Sequence, residues 1–473
     1  MVRCIRTPFV CGAGPLGSSG IGGASGPLDS NVRQRQVSCM NDVVRRTVAP
    51  GYEPVAEVFQ TFFTKAWDVG SGVSVYVRGE PVVRLTGGLR VGVGDPTPYD
   101  ADTIQLVAST TKFVESLVIA LLVDRELLRY DDRIVDHWPE FASGDPGKAR
   151  VTLRQLMMHR AGLPVFDRKL GDDELFDLDA RARFLERQVQ VPELYAAEPT
   201  GSDWKSQRPA PPQAYHAVSR GLYSSELVRR VDPKHRRLGL YFREEIAEPL
   251  GIDFWIGLPA EQAPRVSGTR PDPTVITRLL AGDVATLQSS DDPRHRLYDY
   301  EIAFLRQLLT QPESIPSRAL NCLAPRGIPP QELANNPRMR AVELASGSGF
   351  GSADALARLA ALAAGGGSLG GRMIFSSGRA LQDSMEVADV YAVDGLMGAP
   401  VSYTQGGLAR FESPGRDRTV SIGWGGAGGQ MVRFVPELGL AIAYVTNTLG
   451  SRMAMNDPRG LALLDAAVAC AAR

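Results

Sequence analysis

The segment from Thr110 to Leu128 constrains the fold of this chain more than any other. Its apolar residues, Phe113, Val114, Leu117, Val118, Leu121 and Leu122, recur at helical spacing but occupy more than one side. A helix apolar on several faces has to be wrapped by other elements rather than laid on a surface, so the chain predicts a helix buried near the middle of a large core. A length of 473 residues allows about two or three domains, or one large domain with an insertion. The uninterrupted apolar run Leu117 to Val123 falls well short of the roughly 20 residues that span a bilayer. No transmembrane helix is expected.

The flanking sequence supplies the rest of the architecture. Pro54 to Trp67 places Val55, Val58, Phe59, Phe62, Phe63 and Ala66 at helical spacing, with Pro54 suited to a first turn. Val73 to Tyr76 and Val82 to Leu85 alternate as a hairpin does, and a third strand is expected around Leu89 to Val93. Residues from about 150 to 345 are richer in helix formers, charges and proline-containing loops, including the Pro-rich passage Val191 to Pro212. Val420 to Trp424, Met431 to Phe434 and Leu440 to Asn447 read as strands, and Pro458 to Ala472 as a closing helix. The expected fold is α+β: an antiparallel sheet built from both chain ends and flanked by helices, with a mostly helical inserted lobe. Residues 1–42 are set apart as a disordered or targeting tail, and residues 43–473 as one domain carrying the insertion at approximately 150–345. No repeat of fixed period is visible, which argues against solenoids and propellers.

Composition narrows the partners. With 52 Lys and Arg against 53 Asp and Glu, the net charge of -1 provides no field to hold a polyanion, so nucleic acid is not expected as a partner. Cys4, Cys11, Cys39, Cys322 and Cys470 are odd in number and follow no short spacing, which suits free thiols in a reducing compartment. The first 28 residues carry Arg3 and Arg6 and no acid before Asp29, but Pro8 and Pro15 break any amphipathic helix. The expected location is cytoplasmic, or mitochondrial if residues 1–28 act as a transit peptide.

Two motif matches fail on context. Gly12 to Gly17 fits GxGxxG, yet Pro15 and the Gly/Ser run after it forbid the helix that a dinucleotide site needs. Gly366 to Gly370 fits GxSxG, but it follows a helix and precedes a strand, the reverse of a nucleophile elbow, and the last histidine in the chain is His295. Asp291, Asp292 and His295 lack a ligand spacing that fits a metal, so no metal and no organic cofactor are expected. The basic stretch Arg229 to Arg237, broken by Asp232 and Pro233, reads as a solvated loop between helices.

Ser109-Thr110-Thr111-Lys112 opens the buried helix. A three-residue step puts two side chains on one helical face, which lets the Lys112 amine reach the Ser109 hydroxyl. A desolvated amine can take the proton of a serine hydroxyl and so make it nucleophilic. On spacing alone Ser109 serves equally as a helix cap, Tyr215 as a packed aromatic at the end of a Pro-rich loop, and Gly423 to Gly429 as a tight hairpin.

Four segments taken together carry more weight: Ser109 to Lys112, then Val151 to Pro164 with His159-Arg160-Ala161-Gly162-Leu163-Pro164, then Tyr215-His216-Ala217, then Gly423-Trp424-Gly425-Gly426-Ala427-Gly428-Gly429. In order and spacing they resemble the serine beta-lactamase and penicillin-binding superfamily, and most closely its class C-like branch of beta-lactamase-related esterases, over roughly residues 50 to 471. The resemblance implies a serine hydrolase acting through an acyl-enzyme on Ser109. It makes Lys112 the electrostatic partner and proton acceptor, and Tyr215 a second base whose phenolate the Lys112 ammonium stabilises. It places the Ala427 amide with that of Ser109 as an oxyanion hole beside Trp424, Gly425 and Gly426. His159 is structural by the same likeness.

Two departures refine the expectation. Trp424 stands where many relatives carry a lysine or histidine, so a donor for a substrate carboxylate is absent; Trp also occurs there in some esterases of the superfamily. Ala217 replaces an asparagine side-chain amide. Both point to small or medium acyl esters as substrates, with an amide, a beta-lactam or a D-amino-acid peptide as alternatives. A catalytically silent binding or self-assembling scaffold is the alternative outside enzymology. The oligomeric state is not legible.

Overall fold

The computed structural model describes residues 43–92, 96–192, 212–323, 330–387, 392–412, 419–450, 455 and 457–473. Strand β1 (Val43–Val48) and helix α1 (Glu53–Thr64) precede the hairpin β2 (Gly70–Val77) and β3 (Glu80–Gly88). Strand β4 (Ile104–Ala108) runs into α2 (Thr111–Asp124). The helical middle includes α3 (Leu178–Arg187) and α4 (Ser219–Val231), and α5 (Ala353–Ala364) follows it. Strands β5 (Ala392–Val393), β6 (Pro400–Tyr403), β7 (Ala409–Glu412), β8 (Val420–Gly426), β9 (Gln430–Val435) and β10 (Leu440–Thr446) lead to the last helix, α6 (Pro458–Ala471). Residues from Cys39 onward form one compact unit.

Both chain ends build one nine-stranded antiparallel sheet, as the sequence predicts, in the order β1-β3-β2-β10-β9-β8-β7-β6-β5. Its central seam joins β10 to β2, with Ala443 opposite Ser74. Alternate residues of β10 serve opposite faces, as a pleated strand requires. Leu440, Ile442 and Tyr444 pack with Phe59 and Phe62 of α1 and Leu463 of α6. Ala441, Ala443 and Val445 join the main core with α2 and the alanine-rich α5. Every residue of α2 from Thr111 to Leu122 is buried, including Lys112, Glu115 and Ser116.

Strand β4 belongs to a separate four-stranded sheet, paired antiparallel to Gly349–Gly351 and parallel to Val266–Ser267. The third strand expected at Leu89 to Val93 does not form over its described residues. Leu89 makes only an isolated bridge to Pro98, and Gly88 and Gly92, with φ of 79° and 74°, turn the chain away. The basic stretch Arg229 to Arg237 is a solvated loop only in part, at Pro233, Lys234, His235 and Arg237, which are exposed. Arg229 and Arg230 end α4 on Glu226, and Arg236 is buried against Asp232, Glu244 and Glu245, whose charges compensate it. Gly366 to Gly370 is the expected turn, between α5 and the short hairpin of Ser368–Leu369 with Arg372–Met373. The GxGxxG match, Cys4, Cys11, Cys39 and most of the Pro-rich passage lie outside the described residues. Among the described residues no helix is long and apolar enough to cross a membrane.

Candidate active site

Ser109 sits at a strained corner between β4 and α2. Ala108 adopts φ of 46°, a left-handed conformation that costs a non-glycine residue roughly 1–2 kcal/mol. Neighbouring hydroxyls hold the corner: Thr110 donates to the Val107 carbonyl and Thr111 to the Ala108 carbonyl, each at 2.5 Å, while the Gly349 amide donates to Thr111 Oγ1 at 2.8 Å. Between the buried Ala108 and Thr110, Ser109 alone is half-exposed.

Tyr215 reaches this corner from the segment before α4, and its hydroxyl donates to Ser109 Oγ at 3.0 Å. The backbone of that segment is pinned on both sides. Tyr215 N donates to Asp394 Oδ1 and His216 N to His159 Nδ1, both at 3.0 Å, and Ala214 N donates to the His159 carbonyl at 2.9 Å. His216 Nε2 in turn accepts from Leu163 N at 3.0 Å, so the His159 to Pro164 turn cradles the Tyr215 segment. Burial holds both imidazoles uncharged, His216 down to about 3 and His159 well below the usual range, with Arg220 adding to each effect. Both are structural in geometry, matching the expectation for His159.

Lys112, the second residue of α2, is fully buried. Its Nζ donates to the carbonyls of Ala217 at 2.6 Å and Ser346 at 2.9 Å and stands 4.9 Å from the Tyr215 ring centroid. The sequence reading aims this amine at the Ser109 hydroxyl; in the structure its hydrogen bonds run to the two carbonyls. Once deprotonated, the amine keeps two N–H donors, which these carbonyls take, and its lone pair is left for the site. Burial, reinforced by the Arg220 charge and opposed by Glu115, holds the Lys112 pKa well below the ordinary lysine value. Burial also pushes the Tyr215 phenol up to about 12, against the hydrogen bond with Ser109 and the Arg220 charge.

The glycine-rich segment brings β8 against β4. A Cβ on Gly426 would lie 2.3 Å from the Val107 carbonyl oxygen, so only glycine admits this approach. Gly428 and Gly429, at φ of 90° and 110°, then close the turn and leave Ala427 half-exposed, as Ser109 is. Gly425 and Gly426 are buried behind it. Trp424 is fully buried, stacked on Tyr403 at 5.6 Å and tilted against Tyr215 at 5.9 Å. The fold thus gathers Ser109, Lys112, Tyr215, Trp424 and the Gly425 to Ala427 turn around one corner.

Several residues at this corner are not singled out by the sequence reading: Glu115, Arg220, Ser346, Asp394 and Tyr403. The one local signal is Glu115, a carboxylate inside an otherwise apolar helix, which predicts a buried partner without naming it. Asp292 and His295 are spent on other groups, Asp292 on Arg294 at 2.6 Å and His295 on Asp272 at 2.9 Å.

Comparison with known proteins identifies the family. The beta-lactamase family profile matches residues 56–466. Esterase/beta-lactamase LipL of Mycobacterium tuberculosis is 28% identical over 449 residues, covering 92% of this chain and 91% of that protein. The crystal structure of a family VIII carboxylesterase superposes with a TM-score of 0.72 at 26% identity, covering 91% of this chain and all (100%) of the other. A penicillin-binding protein homologue from Caulobacter crescentus superposes with a TM-score of 0.66 at 28% identity over the same shares, 91% and 100%. The chain is a serine hydrolase and belongs to the beta-lactamase family.

Proposed function

We propose that the protein is a carboxylesterase that cleaves small or medium acyl esters through an acyl-enzyme on Ser109. The observation that carries this reading is the 3.0 Å contact between the Tyr215 hydroxyl and Ser109 Oγ, beside the buried Lys112 amine. Burial disfavours the ammonium–phenolate pair expected from the sequence, since it lowers the Lys112 amine and raises the Tyr215 phenol. That ion pair belongs to the reaction: as Ser109 Oγ bonds to the ester carbonyl carbon, its proton leaves through Tyr215 toward Lys112. Tyr215 then returns a proton to the departing alkoxide. The carbonyl oxygen, now negative, lies against the amides of Ser109 and Ala427. Water reverses the sequence and frees the acid.

The choice of esters rests on three supports. LipL is named an esterase/beta-lactamase and one superposed structure is a family VIII carboxylesterase. Trp424 supplies no cation for a substrate carboxylate, and Ala217 supplies no side-chain amide. We read residues 43–473 as the catalytic domain, with approximately 150–345 as an insertion that shapes the acyl pocket. The buried free thiols of Cys322 and Cys470 favour a cytoplasmic location.

The test is hydrolysis of p-nitrophenyl acetate and butyrate alongside a chromogenic beta-lactam, with fluorophosphonate labelling of wild type and Ser109→Ala. Ester turnover and labelling that vanish together in the variant are expected. A variant that still labels would overturn the assignment of Ser109, and lactam turnover exceeding ester turnover would overturn the ester.

A further inference from the structure

We propose that the buried pair Glu115–Arg220 is the positioning device of this site: it locks together the segments that carry Ser109, Tyr215, His159 and Trp424 and sets the charge felt by the Lys112 amine. The inference rests on the base role assigned above to Lys112. Both members are fully buried, with Arg220 Nη2 at 2.9 Å from Glu115 Oε2.

The guanidinium reaches three of the four motif segments directly: Lys112 through its carbonyl, the Met157 to His159 turn, and Trp424. Through Nε and Nη2 it grips Glu115 on α2, one turn beyond Lys112. Its Nη1 donates to the Met157 carbonyl at 3.0 Å and to the Gly407 carbonyl at 2.8 Å, and stands 3.2 Å from His159 Nε2. Its carbon lies 5.4 Å from the Trp424 ring centroid. Arg220 itself grows from the first turn of α4, so its anchoring also anchors the Tyr215 segment. Gly407 shows how tight the fit is, since a Cβ there would lie 2.6 Å from Nη1.

Glu115 closes the circuit back to the amine. It accepts from Ser224 Oγ at 2.7 Å and Ser346 Oγ at 3.2 Å, and the carbonyl of the same Ser346 accepts from Lys112 Nζ. The titratable groups facing Lys112 are therefore Glu115 from its own helix, Arg220 from α4, Tyr215 and His216 from the segment before it, and His159 from the turn beneath. Only Glu115 and Arg220 carry charge, because burial leaves the imidazoles and the phenol neutral. The guanidinium stays protonated at any working pH, so it is a permanent brake on protonation of the amine, and the carboxylate partly releases that brake.

The sign of each effect follows. Turnover needs the free amine, so kcat/KM rises as pH rises through the Lys112 pKa. Removing Arg220 raises that pKa and moves the acid limb to higher pH; removing the Glu115 charge alone moves it lower. A pair that merely held the fold would change the amplitude and leave the limb in place.

The experiment records kcat/KM for p-nitrophenyl butyrate and the fluorophosphonate labelling rate against pH in wild type, Glu115→Gln and the double variant Glu115→Met/Arg220→Met. Replacing both members of a buried pair is tolerated far better than removing one, so the double variant decides the matter if the single one fails to fold. The expected result is an acid limb displaced upward in the double variant and downward in Glu115→Gln, with plateau kcat/KM down roughly tenfold or more in the double variant as the segments loosen. A limb unmoved in the double variant overturns the proposal. A wild type without an acid limb, or labelling that survives Ser109→Ala, instead overturns the base reading on which it rests.

Discussion

Arg459, in the first turn of α6, donates through Nη2 to the Gly428 carbonyl at 2.9 Å and so ties the C-terminal helix to the turn that follows β8. The guanidinium is itself held at 2.7 Å by Asp68 and at 2.9 Å by Asp457, all of them buried. The amide proposed for the oxyanion hole, that of Ala427, is the neighbour of Gly428. Arg459→Met removes one partner of a buried ionic network, which costs about 3–5 kcal/mol. Urea unfolding should show that loss, with ester turnover reduced at temperatures where the variant is still folded. A loss under about 1 kcal/mol, the range of an exposed pair, contradicts this role.

Tyr215→Phe isolates the hydroxyl. The ring contacts to His159 and Trp424, at 5.0 and 5.9 Å, survive the change. The melting temperature should stay close to that of wild type while kcat falls about 10²–10⁴-fold, the span of a lost general acid–base. A variant that keeps most of its turnover excludes the phenol from proton transfer.

The pH dependence of turnover should be one-sided. The Lys112 amine, lowered by burial and Arg220, must be free, so activity is lost as pH falls through its folded value. The phenol, raised to about 12, stays protonated at rest across the neutral and mildly alkaline range. Initial rates in buffers spanning acid to alkaline pH should therefore rise to a plateau without an alkaline fall before the protein unfolds. A bell centred near neutrality would contradict these protonation states.

Lys148 ends α3 from outside the helix. Its ammonium donates to the carbonyls of Leu185, Glu186 and Gln188, each at 3.0 Å, while burial lowers its pKa to about 7. Because the folded value is depressed, the unfolded chain binds the extra proton between about 7 and the ordinary lysine value of 10.5. Stability should therefore rise with pH across that window and flatten above it. Lys148→Met should abolish this component and lose about 1–3 kcal/mol through carbonyls left without a donor. Denaturant unfolding at pH 7 and pH 9.5 in both proteins separates the effects; identical pH slopes would contradict the titration.

Much of the architecture is legible in local pattern. The multi-sided apolar stripe of α2 announces a buried helix, and the alternation of β2 and β3 with the turn-bounded apolar runs of β8, β9 and β10 announces a sheet shared by the chain ends. The strand β4 escapes such reading because its five buried residues run almost directly into the buried helix α2, with no turn signal to set them apart. The third strand fails for the opposite reason: its apolar residues alternate, but glycines in the left-handed region bend it away.

What the sequence determined by itself is which segments form helices and strands and which apolar faces must be covered, because periodicity is local, and the SxxK step sets two side chains on one turn. What the tertiary structure decided is charge. Glu115 and Arg220 lie 105 residues apart, and the Ser109 and Tyr215 hydroxyls 106. No local window encodes such pairings. The sequence proposes Lys112 as a base, but the desolvation and the neighbouring cation that favour its free amine are supplied only by the folded chain.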